Sequence, residues 1–168
     1  MAPPFPLPAP MRRALDLARL AEAAGEVPIG AVVTKDAAII GEGENRNRRD
    51  CDPTAHAEIV AMRAAAKHLN DFRLTGCDLW VTLEPCPMCA GAISHARIAR
   101  LYYAVADPKG GAIEQGPRLF AQPKCLHRPD VYGGLAEAEA STLLRDFFRR
   151  PALNNRCGRV DRARSCPC

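Results

Sequence analysis

The chain lacks any stretch close to the roughly 18 consecutive apolar residues of a membrane-spanning helix, which points to a soluble protein. It also lacks a secretory pattern. Five prolines fall within the first ten residues, and the first basic pair, Arg12-Arg13, comes only after them. No internal repeat is found, so a solenoid is excluded. There is no strong charge bias either: 23 basic against 19 acidic residues leave +4, which tolerates a polyanionic partner without requiring one. What remains is a chain of 168 residues, 48% hydrophobic, long enough for one domain with a substantial core. Such a chain folds without covalent staples, so its eight cysteines need not form a disulfide framework, and Cys86 and Cys89 read as a metal-type pair in a reducing, cytoplasmic setting.

The expected organisation is a proline-rich, disordered lead-in over residues 1–10, a single domain over 11–150, and a basic, cysteine-containing flexible tail over 151–168. Met11, Ala14, Leu15, Ala18 and Ala21 recur at the steps of one buried helix face, with Gly25 suited to end it. Residues 27–34 and 38–43 read as an antiparallel pair. Within the first, Pro28 and Gly30 mark either an edge or irregular strand start, or a backbone brought close to a ligand. A polar loop with Arg46, Arg48 and Arg49 leads to a second helix with the stripe Ala55, Ile59, Met62, Ala66 and Leu69. Residues 78–84 are apolar on both alternating sets and fit a central strand. A third helix opened by Pro85 and a strand over 100–106 then complete a parallel crossover. Residues 107–129, rich in Gly and Pro, form a long structured loop, a length that raises the odds of function. A short strand at Val131-Tyr132 and a helix over 135–150, with Leu143, Leu144, Phe147 and Phe148 at its apolar end, close the domain.

Two segments carry chemistry: Thr54-Ala55-His56-Ala57-Glu58, and Glu84-Pro85-Cys86-Pro87-Met88-Cys89. One imidazole and two thiols can hold zinc in three positions and leave the fourth open, with the Glu58 carboxylate free beside it. Cys86 and Cys89, at a helix start, gain thiolate character from the helix dipole. His56 and Glu58 fall in the first turn of the second helix, roughly 200° apart on a regular spiral, and both can still reach a metal off its N-terminus. Alone, Cys-x-x-Cys could be a redox pair or half a zinc knuckle. A structural site would need a fourth ligand such as Cys51, Cys77 or Cys125 and would leave Glu58 without a role. His-x-Glu with Pro-Cys-x-x-Cys is the signature of zinc deaminases.

At these residues the sequence resembles the cytidine and deoxycytidylate deaminase superfamily, and within it the bacterial tRNA-specific adenosine deaminases. The likeness extends from about Met11 to Arg150. It includes Glu26-Val27-Pro28-Ile29-Gly30-Ala31-Val32, Gly41-Glu42-Gly43-x-Asn45, Cys89-Ala90-Gly91-Ala92-Ile93, Asp107-x-Lys109-x-Gly111 and Leu143-Leu144-x-x-Phe147-Phe148. The resemblance implies a three-layer α/β/α fold around a five-stranded mixed sheet, one Zn2+ per subunit, and a homodimer. It also implies hydrolytic conversion of the first anticodon adenosine of tRNA to inosine. Carried over by position, His56, Cys86 and Cys89 bind the metal and Glu58 moves protons. Asn45, Ile29 and the Ala57 backbone hold the flipped base, while Asp107, Lys109 and Phe148 lie near the anticodon loop. The sequence departs from the family after Gly111-Ala112, where Ile113-Glu114-Gln115-Gly116-Pro117-Arg118 follows.

Two other functions fit the same residues. A free-base or nucleoside deaminase of guanine or cytosine type would use the same metal site and be separated by its product. A non-catalytic, zinc-stabilised RNA-binding module would need four protein ligands. Arg46, Arg48 and Arg49 read either as phosphate contacts or as a solvated loop. Phe147 and Phe148 divide between core packing and base stacking, and the tail arginines could add salt-dependent RNA affinity.

Overall fold

The structure, a computed structural model, describes residues 6–150. The tail and the first five residues of the expected lead-in lie outside the described residues. The rest of the lead-in corrects expectation. Helix α1 spans Ala9–Ala23, with Pro8 as N-cap and Pro10 in its first turn, where a missing N–H costs nothing. Leu7 already packs against the core.

Strands β1 (Gly30–Lys35), β2 (Ala38–Glu44), β3 (Asp78–Leu83), β4 (Arg100–Val105) and β5 (Asp130–Tyr132) form one sheet in the order β2-β1-β3-β4-β5. β1 runs antiparallel to both β2 and β3, whereas β3, β4 and β5 are parallel. Helices α1 and α4 (Glu137–Arg149) cover one face, and α2 (Ala57–Leu69) and α3 (Pro87–Ala96) cover the other. This is the expected three-layer mixed-sheet fold, with β3 central. Stacked rings of Trp80, Tyr102 and Tyr132, with centroids 3.8 and 4.9 Å apart, tie the three-residue β5 to its neighbours.

Several local readings shift. β1 is an interior strand rather than an edge; Pro28 falls before it and Gly30 is its first residue, the irregular strand start. A Cβ there would lie 2.1 Å from the Ala14 carbonyl oxygen; the close approach is to the backbone of α1. Gly41 and Gly43 do the same under α2, against Ala61 and Ala57. The buried face of α2 therefore includes Ala57, Ala61 and Ala65, which the expected stripe omitted, while Ala55 precedes the helix. Pro85 does not open α3: Cys86 is its N-cap and Pro87 its first residue. In α4 only Ala140 is fully buried; Leu143 packs half-buried against the core, whereas Phe148 is 68% exposed and lies outside it.

Candidate active site

The site lies where the N-termini of α2 and α3 meet. His56 is the N-cap of α2 in extended conformation (φ −72°, ψ 152°). It therefore leaves the helical spiral, and the wide angular separation expected for residues two apart does not apply. Its Nδ1 is 3.6 Å from Cys86 Sγ and 3.5 Å from Cys89 Sγ, and one ligand atom from each residue lies within 4.8 Å of the others. A tetrahedron with the usual Zn–S and Zn–N bond lengths has S···N edges of about 3.6 Å, so the donor set fits zinc. Cys86 is held down to about 4, first by its hydrogen bond with Cys89, against burial, and then by His56. Cys89 is pushed up as the sulfur that keeps the shared proton, and burial adds to this. His56 is raised by the hydrogen bond to Cys86. One cation in the centre would replace that shared proton. Cys77 lies in the hydrophobic core, Cys125 beside Ser94, and Cys51 in the loop before α2. None joins the cluster, so among the described residues there is no fourth protein ligand.

Glu58, in the first turn of α2, is 4% exposed. Burial raises its pKa against the opposing pull of its own backbone N–H and of His56, and it shares a hydrogen bond with Cys89. A carboxyl that resists ionisation beside a metal-type cluster is suited to carrying protons.

Asn45 is buried, and its Oδ1 accepts the Ala57 N–H at 3.0 Å, capping α2. Its own N–H donates to the Ile29 carbonyl at 3.1 Å. Asn45, Ile29 and Ala57 thus come together as expected, but the Ala57 N–H is already engaged. The group Asn45 can offer to a ligand is its Nδ2. Asp107, Lys109 and Phe148 meet elsewhere, around a cavity of about 640 Å³ at the C-terminal ends of β3 and β4. The three arginines before α2 turn inward to the chain: Arg46 pairs with Asp50, Arg49 with Glu44, and Arg48 donates to the Gly25 carbonyl and sits 5.9 Å from the Phe147 ring centroid.

Two buried carboxylates were missed by sequence reasoning. Glu26 accepts the N–H groups of Arg48 and Arg49 at 3.0 and 2.9 Å. Glu84 is 2% exposed and accepts four: Asp107 at 2.9 Å on Oε2, and Ile113, Glu114 and Gln115 at 3.0, 2.8 and 3.0 Å on Oε1. Their partners are backbone amides more than twenty residues away, so no local spacing signals them.

With its histidine and cysteine pair set at helix N-termini beside a buried glutamate, the chain belongs to the cytidine and deoxycytidylate deaminase family, whose zinc-binding region matches residues 8–105. Zinc is accordingly its cofactor. Within that family it is 56% identical to a tRNA-specific adenosine deaminase of Agrobacterium fabrum, over 86% of this chain and 95% of that one. A solved structure from studies of A-to-I editing by tRNA:A34 deaminases at the wobble position superimposes with a TM-score of 0.79 at 56% identity, covering 80% of this chain and 98% of the other. A guanine deaminase from Nitrosomonas europaea superimposes at 0.69 with 26% identity, over 88% and 85% of the two chains.

Proposed function

We propose that this protein hydrolyses the 6-amino group of the wobble adenosine of tRNA, giving inosine and ammonia. The observation that carries the chemistry is the His56, Cys86 and Cys89 cluster with buried Glu58 beside it. The substrate rests on 56% identity spread over nearly the whole relative, against 26% to the guanine deaminase.

In this reading His56 Nδ1 and the two thiolates hold the zinc. When bound, zinc supplies Lewis acidity that makes hydroxide available near neutral pH. Glu58 accepts the proton that the attacking water loses and delivers it to N1 of the ring as the new C6–O bond forms. The proton of the new C6 hydroxyl, carried by Glu58 to the amino group, lets the C6–N bond break, so that ammonia leaves as the C6 carbonyl forms. Asn45 Nδ2 and the backbone around Ile29 and Ala57 orient the base. Asp107, Lys109 and Phe148 receive the flanking nucleotides, with the exposed phenyl ring available for stacking.

A homodimer accompanies this reading. The α2/α3 face carries an apolar groove of about 480 Å³ that includes Ile59, Met62 and Phe72, and Leu126 beside α3 is 93% exposed, the kind of surface a second copy covers. No described helix is long and apolar enough to cross a membrane, and a tRNA substrate fits a cytoplasmic location. The test is incubation of zinc-loaded protein with an anticodon stem-loop, followed by nucleoside analysis. Inosine at the first anticodon position is expected. Ammonia from free guanine or cytosine without inosine in RNA would transfer the assignment to a free-base deaminase.

A further inference from the structure

We propose that Glu84 is a positioning residue for substrate recognition, the anchor that fixes the 107–115 loop against the metal-ligand segment. It ends the stretch after β3 and stands two residues before Cys86, so its backbone belongs to the ligand-bearing turn. Its side chain points the other way along the chain's course and gathers four N–H groups from the loop that carries Asp107 and Lys109. The connection is doubled in the backbone. Glu84 N–H donates to the Val105 carbonyl at 2.8 Å, and Ala112 N–H donates to the Pro85 carbonyl at 2.9 Å. Gly111 packs so tightly that a Cβ would sit 2.6 Å from the Glu84 carboxyl carbon and 2.6 Å from the Asp107 carbonyl oxygen. Within the loop, Asp107 Oδ1 accepts the Lys109 N–H at 3.0 Å, so fixing Asp107 also sets where Lys109 begins. No cation faces the Glu84 carboxylate in any of these contacts; backbone donors alone satisfy it, and backbone donors are what a loop needs to be held by its path rather than by its side chains. The three donors on Oε1 are the backbone N–H groups of Ile113, Glu114 and Gln115, so the anchor does not depend on which side chains those residues carry.

The proposal rests on the reading of Asp107 and Lys109 as RNA contacts, and the test separates the two. In the zinc-loaded full chain, Glu84→Gln keeps the shape but turns one oxygen into an NH2 group, so a donor meets a donor whichever way the amide sits. Gly111→Ala disturbs the same junction from the loop side with Glu84 intact. Both variants should retain one zinc per chain. The amides of Asp107 and residues 113–115 should exchange with deuterium at least about tenfold faster while those of α2 stay protected, and KM for the stem-loop should rise about tenfold with kcat within about threefold. Unchanged exchange in the loop, loss of zinc together with the loop, or a fall in kcat at constant KM would each overturn the proposal. Wild-type protein that makes no inosine would overturn the substrate reading and the recognition role with it, leaving the exchange measurement to decide the anchoring role alone.

Discussion

Glu58 and Glu84 are both glutamates, both almost wholly buried, and both close in sequence to a metal-type ligand, yet their surroundings differ in kind. Glu58 sits at a helix start beside His56 and Cys89, where burial is the largest influence and holds its carboxyl protonated to higher pH. Glu84 is enclosed by four backbone N–H groups at 2.8 to 3.0 Å. The first is surrounded by groups that exchange protons and the second by groups that only donate hydrogen bonds. Burial alone therefore does not mark a catalytic carboxylate. What its neighbours can do with a proton decides the role.

The largest effect that would sharpen this contrast is kinetic. Glu58→Gln should lower kcat by about 10²- to 10⁴-fold, the range for losing a general acid–base group, with zinc content unchanged by elemental analysis. Near-normal turnover in that variant would erase the distinction between the two residues. Stability should move the opposite way. Because burial raises the folded-state pKa of Glu58, its contribution is fully present below the unfolded value of about 4.3 and is lost as pH rises through the folded value. In chelator-treated protein, Glu58→Gln should thus be more stable than wild type at neutral pH, with the gain vanishing in denaturant melts below about pH 4. Glu84→Gln should be less stable at neutral pH.

Glu26 offers an intermediate case. It anchors the loop before α2 through two backbone donors, as Glu84 anchors the later loop through four. Glu26→Ala should cost about 1–3 kcal/mol by urea melts, the price of leaving buried donors unmet. An unchanged midpoint would show that water replaces the carboxylate there and that the parallel with Glu84 fails.

The difference between the glutamates also explains which parts of the molecule were legible in the sequence. The buried face of α1, with Met11, Ala14, Leu15, Ala18 and Ala21, follows from period alone, and the central place of β3 from its two apolar faces. The cluster of His56, Cys86 and Cys89 follows from residue type and spacing, because metal chemistry admits few side chains. Close backbone approach is readable only as an anomaly: Gly30 signalled that something comes near, but not that it is α1. Pro10 inside the first turn of α1 and Cys86 as the cap of α3 were misplaced by a residue or two because proline tolerates a helix start as readily as it breaks a strand. Glu26 and Glu84 stand within the motifs, but their anchoring roles left no signal, since their partners are amides that every residue but proline possesses. The placement of Arg48 was hidden for a similar reason, as Gly25 and Phe147 meet it only in three dimensions.

A fourth glutamate sets the lower end of the scale. Glu42 has what Glu84 lacks, a full cationic partner: Arg13 Nε and Nη2 reach its two oxygens at 2.7 and 2.8 Å. Its pKa is lowered, first by that hydrogen bond. Both side chains are more than a third exposed, 40% and 36%, so water screens the pair and its contribution should stay below about 1 kcal/mol. The sign is the reverse of that for Glu58. A depressed folded-state pKa gives stability that is present above the unfolded value and is lost as pH falls through the folded one. Glu42→Gln should therefore lower the urea midpoint slightly at neutral pH, less in high salt, and not at all once the wild-type carboxylate is protonated. A loss as large as that of Glu84→Gln would mean that an exposed ion pair matters as much as a buried cradle of amides, against the ordering of Glu84 above Glu42 by burial and donor number.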